Sequence, residues 1–482
     1  MSNSRNYILL YINGKKTKIT GDLVFKSLSD FLRYEKQLVG TKVVCAEGDC
    51  GSCTVVHGRL ENNKINYKPV TSCIKYIYDL DCTHIITVEG LKSNGCMNPI
   101  QESMVKNHGA QCGFCTPGIV VAMTSLLQNK EDLSLGEIKE GLSGNLCRCT
   151  GYESIVKSCM DVAKTDIKNF DELYNQQEII EEIKKVKKIP VVIEHEDRIF
   201  FGPNNVYEAF EFKKTHLDGL SIISGGTDIS LQFNKGIRHA KVIMSTQGID
   251  SLKELKVEGD NLIVGSRVTL TELEEFTKDL YPDFSNMLKV FGSPQIRNSG
   301  TLAGNIANAS PIADTLPFLY VMDALVDLSG SNGTRTVNIN DFYKGYKILD
   351  LKPDEIITKI TIPLLKENQT LKVYKISKRK DLDISTFTAG FLMTKNQEKI
   401  ESIKIALGGV GPMVIRAKQA EEFLKDKNLT QENIKEAGKL AKNEIAPISD
   451  VRGSKEFRLQ LAENIMKKFY FDCMEKDSLI CQ

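Results

Sequence analysis

The placement of cysteine constrains this chain more than any other feature of its sequence. Eleven of the 13 cysteines lie before residue 160, and the stretch VVCAEGDCGSCTVV, residues 43–56, has three of them within nine residues. Thiols at this density indicate disulfide partners, zinc ligands or thiolates around an iron–sulfur cluster. No signal peptide is predicted, and no apolar run approaches the roughly 18 residues of a spanning helix. We therefore expect a cytoplasmic protein, where a reducing environment favours metal over disulfides.

The first set of cysteines has the spacing C-x4-C-x2-C followed by a distant fourth, which is typical of plant-type [2Fe–2S] sites. Gly48 and Gly51 permit the left-handed backbone that a tight loop around a compact cluster requires. Zinc prefers paired C-x2-C knuckles, so it is the weaker metal interpretation, and buried structural cysteine is the alternative to both. The ligands predicted for this first set are Cys45, Cys50, Cys53 and Cys73.

The second set of cysteines combines C-x2-C in QCGFCTPG with C-x-C in NLCRCTG, with 31 residues between them. Ligands separated by one residue strain a tetrahedral zinc site and suit a two-iron cluster better, although structural cysteine stays an alternative. Both pairs precede predicted helix starts, where free N–H groups favour negative charge. The predicted ligands are Cys112, Cys115, Cys147 and Cys149, whereas Cys82, Cys96, Cys159, Cys473 and Cys481 lack ligand spacing and are expected to be plain thiols.

The overall charge excludes two classes of partner. The chain has 63 Lys and Arg against 62 Asp and Glu, a net charge of +1, so neither nucleic acid nor a membrane surface is expected to bind it. Histidine is scarce, at six, and none of these residues pairs with a carboxylate or a serine at a suggestive spacing. We therefore predict no catalytic acid, base or nucleophile in this chain.

Turn and capping signals divide the 482 residues into several parts. Asn13-Gly14 predicts a hairpin over 7–20, Asn98 with Pro99 predicts a helix start, and Ser134 with Glu137 predicts a capping box. We expect a short mixed α+β domain over 1–90, a bundle of four short helices over 91–165, and a charged, partly helical linker over 166–193 that Pro190 stops. Alternating strands and helices follow over 194–369, and a last unit covers 370–482.

Two glycine-bearing segments in the later part, the first after a predicted strand and the second after a strand-like run, are candidate phosphate-binding turns. Glycine lets the backbone approach a ligand, and two such turns converging on one diphosphate would suit FAD. Neither segment has the G-x-G-x-x-G pattern, so a nicotinamide-type Rossmann site is not predicted, and each turn alone is also explained as purely structural. The segments are Ile222, Ile223, Ser224, Gly225, Gly226, Thr227, Asp228 and Ile229, and then Thr301, Leu302, Ala303, Gly304 and Asn305.

Several segments together resemble the xanthine dehydrogenase family of molybdenum hydroxylases. CAEGDCGSCTV, QCGFCTPGIV and GNLCRCTGY are similar to the family's two iron–sulfur domains. SGGTDISL, GSPQIRNSGTLAGNIANASPIADTLP, DFYKGYKILDLKPDEII, YKISKRKDLDIST and SDVRGSKEFRLQLA resemble its flavin domain, in the same order. The resemblance covers nearly the whole chain except the charged linker, and the length is similar to that of the iron–sulfur/FAD small subunit of the family's split bacterial members.

The resemblance implies a multi-domain α+β fold. The expected parts are a plant-ferredoxin-like β-grasp domain, a small four-helix [2Fe–2S] bundle, an FAD-binding α+β domain of the vanillyl-alcohol-oxidase/PCMH type, and a C-terminal α+β domain like that of the CO dehydrogenase flavoprotein. The glycine segments would contact the FAD diphosphate and ribityl groups. Further FAD contacts are implied at Phe291, Asp314, Ile357 and Lys375, which would otherwise be explained as core, cap or surface residues.

The resemblance also implies function and partners. A separate molybdopterin-binding large subunit would hydroxylate hypoxanthine and xanthine to urate, and electrons would pass through two [2Fe–2S] clusters to FAD and then to NAD+, in a dimer of heterodimers. Tyr346 and the loop 377–383 would border the flavin, and Gln111 and Cys149 would face the pterin. The alternatives are a sister hydroxylase acting on another heterocycle or an aldehyde, or a flavin-free iron–sulfur carrier or sensor.

Overall fold

The computed structural model describes residues 4–92, 95–129, 132–397 and 399–480. It divides the chain into two units, which are described separately below. Unit 1 comprises residues 1–250 with Ser293–Gly300, and unit 2 comprises Ser251–Gly292 with residues 301–482.

Unit 1 begins with a mixed sheet in the strand order β2-β1-β5-β3-β4, in which β1 and β5 are parallel and the other pairs antiparallel. Asn13 and Gly14 both adopt left-handed φ values, +47° and +77°, so the predicted hairpin turn is confirmed. Helix α1, Leu28–Asp30, continues as a π-helical turn to Glu35. The strands are β1 Ile8–Ile12, β2 Lys15–Ile19, β3 Thr54–Glu61, β4 Lys64–Thr71 and β5 Thr83–Ile86.

Four helices with a shared apolar core follow, as the sequence predicts. Asn98 and Gln101 form a reciprocal capping box at the first helix, and Ser134 with Glu137 form another at the third. The shared core includes Ile100, Ile119 and Ile155. The helices are α2 Pro99–Lys106, α3 Thr116–Asn129, α4 Leu135–Gly141 and α5 Glu153–Met160.

The charged segment after this bundle is largely helical. It forms α6, Phe170–Leu173, and α7, Gln176–Val186, which ends before Pro190. Ile179 and Ile183 of α7 are buried against Leu9 and Tyr11 of β1. The predicted linker over 166–193 is therefore packed onto the first sheet through α7 and is not a free connection between domains.

The last part of unit 1 is a four-stranded sheet in the order β6-β7-β9-β8, flanked by two helices. Phe200, Ile223 and Ile243 of this sheet share one apolar core with Ile8 and Leu10 of the first sheet. This sheet therefore packs against the first sheet of unit 1. The elements are β6 Val191–His195, β7 Arg198–Gly202, α8 Val206–Thr215, β8 Leu220–Ile223, α9 Ile229–Asn234 and β9 Val242–Ser245; helix α12, Pro294–Arg297, also belongs to unit 1.

Unit 2 begins with an antiparallel sheet in the order β10-β11-β16-β12-β13 and helices packed against it. Thr269 and Glu272 form a capping box at α10. A two-residue strand pairs with Tyr343–Gly345 beside this sheet. The elements are β10 Leu255–Glu258, β11 Asn261–Gly265, α10 Leu270–Thr277, α11 Pro282–Lys289, α13 Leu302–Asn308, α14 Leu316–Val321, β12 Leu325–Gly330, β13 Gly333–Asn338, α15 Ile339–Phe342, β14 Tyr343–Gly345, β15 Ile348–Leu349 and β16 Ile356–Pro363.

The C-terminal part of unit 2 is a second antiparallel sheet, β17-β18-β19-β20, covered by three helices over a core of its own. Its elements are β17 Gln369–Ile376, β18 Phe387–Asn396, β19 Lys399–Gly408, β20 Ile415–Arg416, α16 Lys418–Leu424, α17 Gln431–Asn443 and α18 Lys455–Ile480. None of the helices that the structure describes combines the length and apolar character needed to cross a bilayer.

Candidate cofactor sites

The first cysteine set lies in two turns of unit 1. Cys45, Cys50 and Cys53 occupy the loop before β3, and Cys73 lies in a short 3-10 turn after β4. Ala46, Gly48 and Gly51 in this loop have left-handed φ values of +55°, +81° and +69°. The backbone N–H groups of Glu47 and Cys50 point inward and donate to Cys45 Sγ at 3.4 and 3.5 Å. The loop therefore presents both thiols and N–H donors to one point, as an anionic cluster requires.

Space, as well as backbone conformation, restricts this loop to glycine at two positions. A Cβ atom on Gly48 would lie 2.4 Å from Ile74 Cδ1, and one on Gly51 would lie 2.1 Å from the carbonyl oxygen of Gly144. A Cβ atom on Gly118 of α3 would likewise lie 2.3 Å from the carbonyl oxygen of Gly51. The loop is therefore packed tightly against the helical bundle.

The four thiols of the first set hydrogen-bond to one another. The thiols of Cys50 and Cys73 donate to Cys45 and lower its pKa, while the pKa values of Cys50 and Cys73 rise because these two are the donors. The Cys73 thiol also lowers the pKa of the fully buried Cys53. The four sulfur atoms thus form one connected group, with Cys45 and Cys50 half-buried and the other two buried.

The second set pairs one cysteine from each of two loops. Cys112 and Cys115 precede α3, and Cys147 and Cys149 lie between α4 and α5. The Sγ atoms of Cys112 and Cys149 are 3.6 Å apart. Burial, reinforced by a hydrogen bond with Cys147, raises the pKa of Cys115 to about 12.

Hydrogen bonds fix the position of Cys147. Its backbone N–H donates to Tyr152 Oη at 2.8 Å, and its Sγ lies 3.2 Å from Thr150 Oγ1. Burial raises the pKa of this thiol, but hydrogen bonds led by Thr150 outweigh burial, so that the pKa is lowered. Cys149, Cys112 and Gln111 are exposed at the outer side of the set.

Each set offers four cysteine thiols, the donors that hold the irons of iron–sulfur clusters. In the second set Cys112 lies next to Cys149, and Cys115 hydrogen-bonds with Cys147, so the thiols form two pairs, and a [2Fe–2S] cluster takes two thiolates on each iron. The residues present therefore fit two [2Fe–2S] clusters, and the eight ligands remain predictions.

The remaining cysteines lie apart from both sets. Cys82, Cys159 and Cys473 are buried in apolar cores, and Cys96 is exposed. Cys481 lies outside the described residues.

The two cysteine loops contact each other through the backbone. The N–H of Leu146, next to Cys147, donates to the carbonyl oxygen of Cys50 at 3.0 Å. The side-chain amide of the buried Asn145 donates to the carbonyl of Gly51, also at 3.0 Å. One hydrogen bond therefore joins a predicted ligand of the first set to the residue before a predicted ligand of the second.

Residues 293–300 of unit 1 contact both loops and the first glycine segment. Gln295 Nε2 donates to Asn145 Oδ1 at 2.7 Å, and Ile296 packs against Cys53 and Cys73. The carbonyl oxygen of Ser299 lies 2.2 Å from where a Cβ on Gly225 would be. The sequence assigns these eight residues to the flavin domain and gives no sign that they reach the cysteine loops.

The first glycine segment has the backbone that a ligand-binding turn needs. Strand β8 contains Ile222 and Ile223, the turn follows, and α9 begins at Ile229. Gly225 has no room for a side chain, and Gly226 has a φ of +75°. A narrow turn without side chains fits the close approach of a diphosphate.

The second glycine segment, in unit 2, differs from the prediction. The sequence predicts a turn after a strand-like run, but residues 294–297 are helical, and Leu302, Ala303, Gly304 and Asn305 are the start of α13. Thr301 caps that helix by accepting a hydrogen bond from the N–H of Gly304 at 3.0 Å. The prediction of a strand is wrong because Ser293-Pro294 and Thr301 are both strong helix-start signals.

A cleft of about 760 Å³ in unit 2 brings five of the predicted flavin residues together. Lys375 Nζ lies 2.5 Å from Asp314 Oδ2, and both side chains are buried. Ser385 donates to the other oxygen of Asp314. Ile357 pairs with Leu328 in the sheet and is not among the lining residues. The five are Phe291, Asn305, Asp314, Tyr346 and Lys375.

The structure adds Arg458 to the lining of this cleft, which the sequence does not single out. Its guanidinium is buried and donates to the carbonyl oxygen of Thr386 at 3.1 Å and to Asp450 Oδ1 at 2.8 Å. Leu382 and Asp383 of the loop 377–383 also line the cleft, and Tyr346 is 59% exposed at its mouth. The only sequence signal for Arg458 is its place inside SDVRGSKEFRLQLA.

Three family models match the chain in succession. A [2Fe-2S] binding domain matches residues 87–160, the FAD binding domain in molybdopterin dehydrogenase matches 194–365, and the CO dehydrogenase flavoprotein C-terminal domain matches 372–472. Their order and identity confirm the predicted multi-domain α+β fold with iron–sulfur, FAD-binding and flavoprotein C-terminal domains.

Curated relatives match nearly the whole chain. A xanthine dehydrogenase from Blastobotrys adeninivorans is 30% identical over 99% of this chain and 41% of its own length. Aldehyde oxidase 1 from Bos taurus is 29% identical over 96% of this chain and 39% of its own length. The chain thus spans about two fifths of the length of these relatives.

Among solved structures, a carbon monoxide dehydrogenase from Hydrogenophaga pseudoflava aligns with a TM-score of 0.54 and 24% identity, over 56% of this chain and 94% of the aligned chain. At that identity the likeness concerns the fold alone.

Proposed function

Because this chain belongs to the molybdenum hydroxylase family, in which it is the iron–sulfur and flavin-binding part, we propose that it is the electron-transfer subunit of a xanthine dehydrogenase. In this proposal electrons from a molybdopterin-binding partner reach the second cluster, then the first cluster, then FAD, and finally NAD+. When bound, the clusters exchange single electrons, and FAD links them to a two-electron acceptor.

The observation that supports this order most directly is the contact between the two cysteine loops. The carbonyl of Cys50 accepts a hydrogen bond from the N–H of Leu146, which is bonded to Cys147. A short covalent and hydrogen-bonded route therefore joins the two thiol sets inside unit 1. The outer thiols, Cys112 and Cys149, are exposed, as the entry point from a partner would be.

This chain's own residues would hold and orient the cofactors. The eight cysteines would ligate iron, and the inward N–H groups of Glu47 and Cys50 would stabilise the charge on sulfur. In the unit 2 cleft the Asp314–Lys375 ion pair would present a fixed pair of charges, and Phe291 would present a ring face. No residue of this chain is assigned to attack on a substrate carbon.

The partner and the substrate are inferred from relatives. We propose a separate molybdopterin-binding large subunit that hydroxylates hypoxanthine and xanthine to urate, a dimer of heterodimers, and a cytoplasmic location where thiols stay reduced. The 30% identity to a xanthine dehydrogenase supports the substrate. The second candidate is the redox part of a sister hydroxylase, which the 29% identity to an aldehyde oxidase favours.

The first test uses the purified full chain. We expect a brown protein with about four iron atoms per chain and extractable FAD, because each of the two clusters holds two irons. It should reduce dyes with NADH and should not hydroxylate hypoxanthine by itself. Co-purification from the native host, followed by assays with hypoxanthine and with aldehydes, separates the two candidates. Zinc in place of iron would refute the proposal.

The second test removes one predicted ligand. Cys147→Ser should abolish one cluster signal in electron paramagnetic resonance and block hypoxanthine-dependent turnover of the complex, while NADH–dye reduction survives. The matched control is Cys96→Ser, at an exposed cysteine outside both sets, which should leave both activities unchanged. Loss of both activities in a folded Cys147→Ser protein with normal FAD content would contradict the order of carriers.

A further inference from the structure

A buried ion pair lies between the first cysteine set and the glycine segment 222–229. Lys75, two residues beyond Cys73, and Asp79, one turn later, are 2% and 3% exposed and form a close contact. Lysine is almost never buried this deeply unless it is paired.

The ammonium group of Lys75 has a second partner, which belongs to the glycine turn. Nζ donates to the carbonyl oxygen of Gly225 at 3.3 Å. Asp79 is itself held by Ser245, whose hydroxyl donates to Oδ1 at 2.9 Å. Gln247 donates to the carbonyl oxygen of Ser224. Lys75 and Gln247 therefore hydrogen-bond to two successive carbonyl oxygens of the turn.

The position of this lysine has a consequence for the opposite side of the turn. The carbonyl of Gly225 and the N–H of Gly226 belong to the same peptide unit, whose donor and acceptor point in opposite directions. A cation at the carbonyl polarises that unit and strengthens the N–H as a donor, because hydrogen bonds in a chain reinforce one another. An N–H donor of this kind binds anions such as phosphate.

We propose that Lys75 is a positioning residue for the diphosphate of a bound dinucleotide, acting through the Gly225–Gly226 peptide, with Asp79 fixing the direction of its ammonium group. This inference rests on the proposed function, since it takes FAD as the dinucleotide. The lysine does not contact the ligand. It holds the turn at the spacing and polarity that the ligand needs, and it links that turn to a chain segment bearing a predicted iron ligand.

The test measures FAD affinity of the full chain after removal of flavin. Lys75→Met keeps the length of the side chain and removes its charge, and it should weaken FAD binding tenfold or more in a fluorescence titration. Both cluster signals should persist, because the variant alters no predicted ligand. The matched control is Lys16→Met, at a lysine that is 43% exposed and paired with Glu182, which should leave the affinity within twofold.

Asp79→Asn is an independent test of the same proposal. It keeps the shape of the pair and removes the charge that directs Nζ, so FAD affinity should fall while the clusters persist. If Lys75→Met loses its clusters and fails to fold, the FAD affinity of Lys75→Gln is measured instead. The glutamine amide still donates a hydrogen bond but has no charge. FAD binding weaker than native then supports the proposal, and native affinity overturns it.

The measurements distinguish failure of the proposed function from failure of the role proposed for Lys75. A native chain with no affinity for FAD at all refutes the proposed function. A native chain that binds FAD, together with a folded Lys75→Met variant of equal affinity, refutes only the role of Lys75. A further readout besides affinity is hydrogen exchange over residues 224–229, which FAD should slow less in Lys75→Met than in the native protein.

Discussion

His84, in strand β5, should make the stability of unit 1 depend on pH. Its side chain is fully buried, and the N–H of Gly14 in the hairpin turn donates to its Nε2 at 3.0 Å. Nε2 therefore has no proton, and Nδ1–H donates to Tyr67 Oη at 2.8 Å. Protonation of Nε2 would set two donors against each other. Burial lowers the pKa of His84 to about 3.

The size of the effect follows from linkage. The folded pKa of about 3 lies below the ordinary value of 6.5, so the folded state resists a proton that the unfolded state accepts. The stabilising contribution of neutral His84 is therefore fully present above about pH 6.5, and this contribution is lost as pH falls towards 3. At about 1.4 kcal/mol per pKa unit, the whole loss is at most about 5 kcal/mol, and about 2 kcal/mol of it occurs between pH 7 and pH 5.

The assay compares urea unfolding at about pH 7 and about pH 5 in the native chain and in His84→Gln. Hydrogen exchange of peptides from residues 8–19 reports the opening of the first sheet. The native chain should lose about 2 kcal/mol more than His84→Gln between these two conditions. His239→Gln, at an exposed histidine of the same unit, is the matched control and should lose as much as the native chain. Equal losses in native and His84→Gln protein would refute a neutral buried imidazole.

Two further substitutions test the sites themselves. Gly51→Ala should abolish both cluster signals, because its Cβ would lie 2.1 Å from a backbone carbonyl oxygen and its φ is +69°. The matched control is Gly136→Ala, whose Cβ would lie 3.9 Å from the nearest atom, and it should keep both cluster signals. Asp314→Asn should lower FAD affinity, and it should lower the free energy of unfolding of unit 2 by about 3 kcal/mol or more, because the buried ammonium of Lys375 loses its ion-pair partner. Asp279→Asn, at an exposed carboxylate of unit 2 outside the cleft lining, should change neither, and equal FAD affinities in the two variants would contradict this.

Local signals in the sequence predict local structure well in this chain. The Asn13-Gly14 turn, the helix start at Asn98-Pro99 and the capping box at Ser134 are confirmed, because each depends on residues within a few positions of one another. The buried side of α7 is harder to predict, since Ile179 and Ile183 lie within a strongly charged segment. Their one-turn spacing is the only sign of a packed face.

The sequence does not reveal which distant segments pack together. Lys75 and Asp79 have the spacing of an ordinary surface ion pair, and only the fold shows that both are buried beneath the carbonyl of Gly225. Burial of a charge depends on contacts 150 residues away, as in the hydrogen bond from Lys75 to Gly225. Spacing alone therefore predicts a solvated ion pair that contributes little to stability. The structure has a buried pair, and removal of one partner would lower the free energy of unfolding substantially.

The segment 293–300 shows how one short stretch can serve several sites in unit 1. Gln295 contacts Asn145, next to the second cysteine set, while Ile296 packs against Cys53 and Cys73 of the first. Ser299 leaves no space for a side chain on Gly225. Because protein interiors are close-packed, a shift of this segment cannot be absorbed at one of these contacts alone. The glycine turn and both cysteine loops are therefore expected to respond together to any change in residues 293–300, although they are far apart in the sequence.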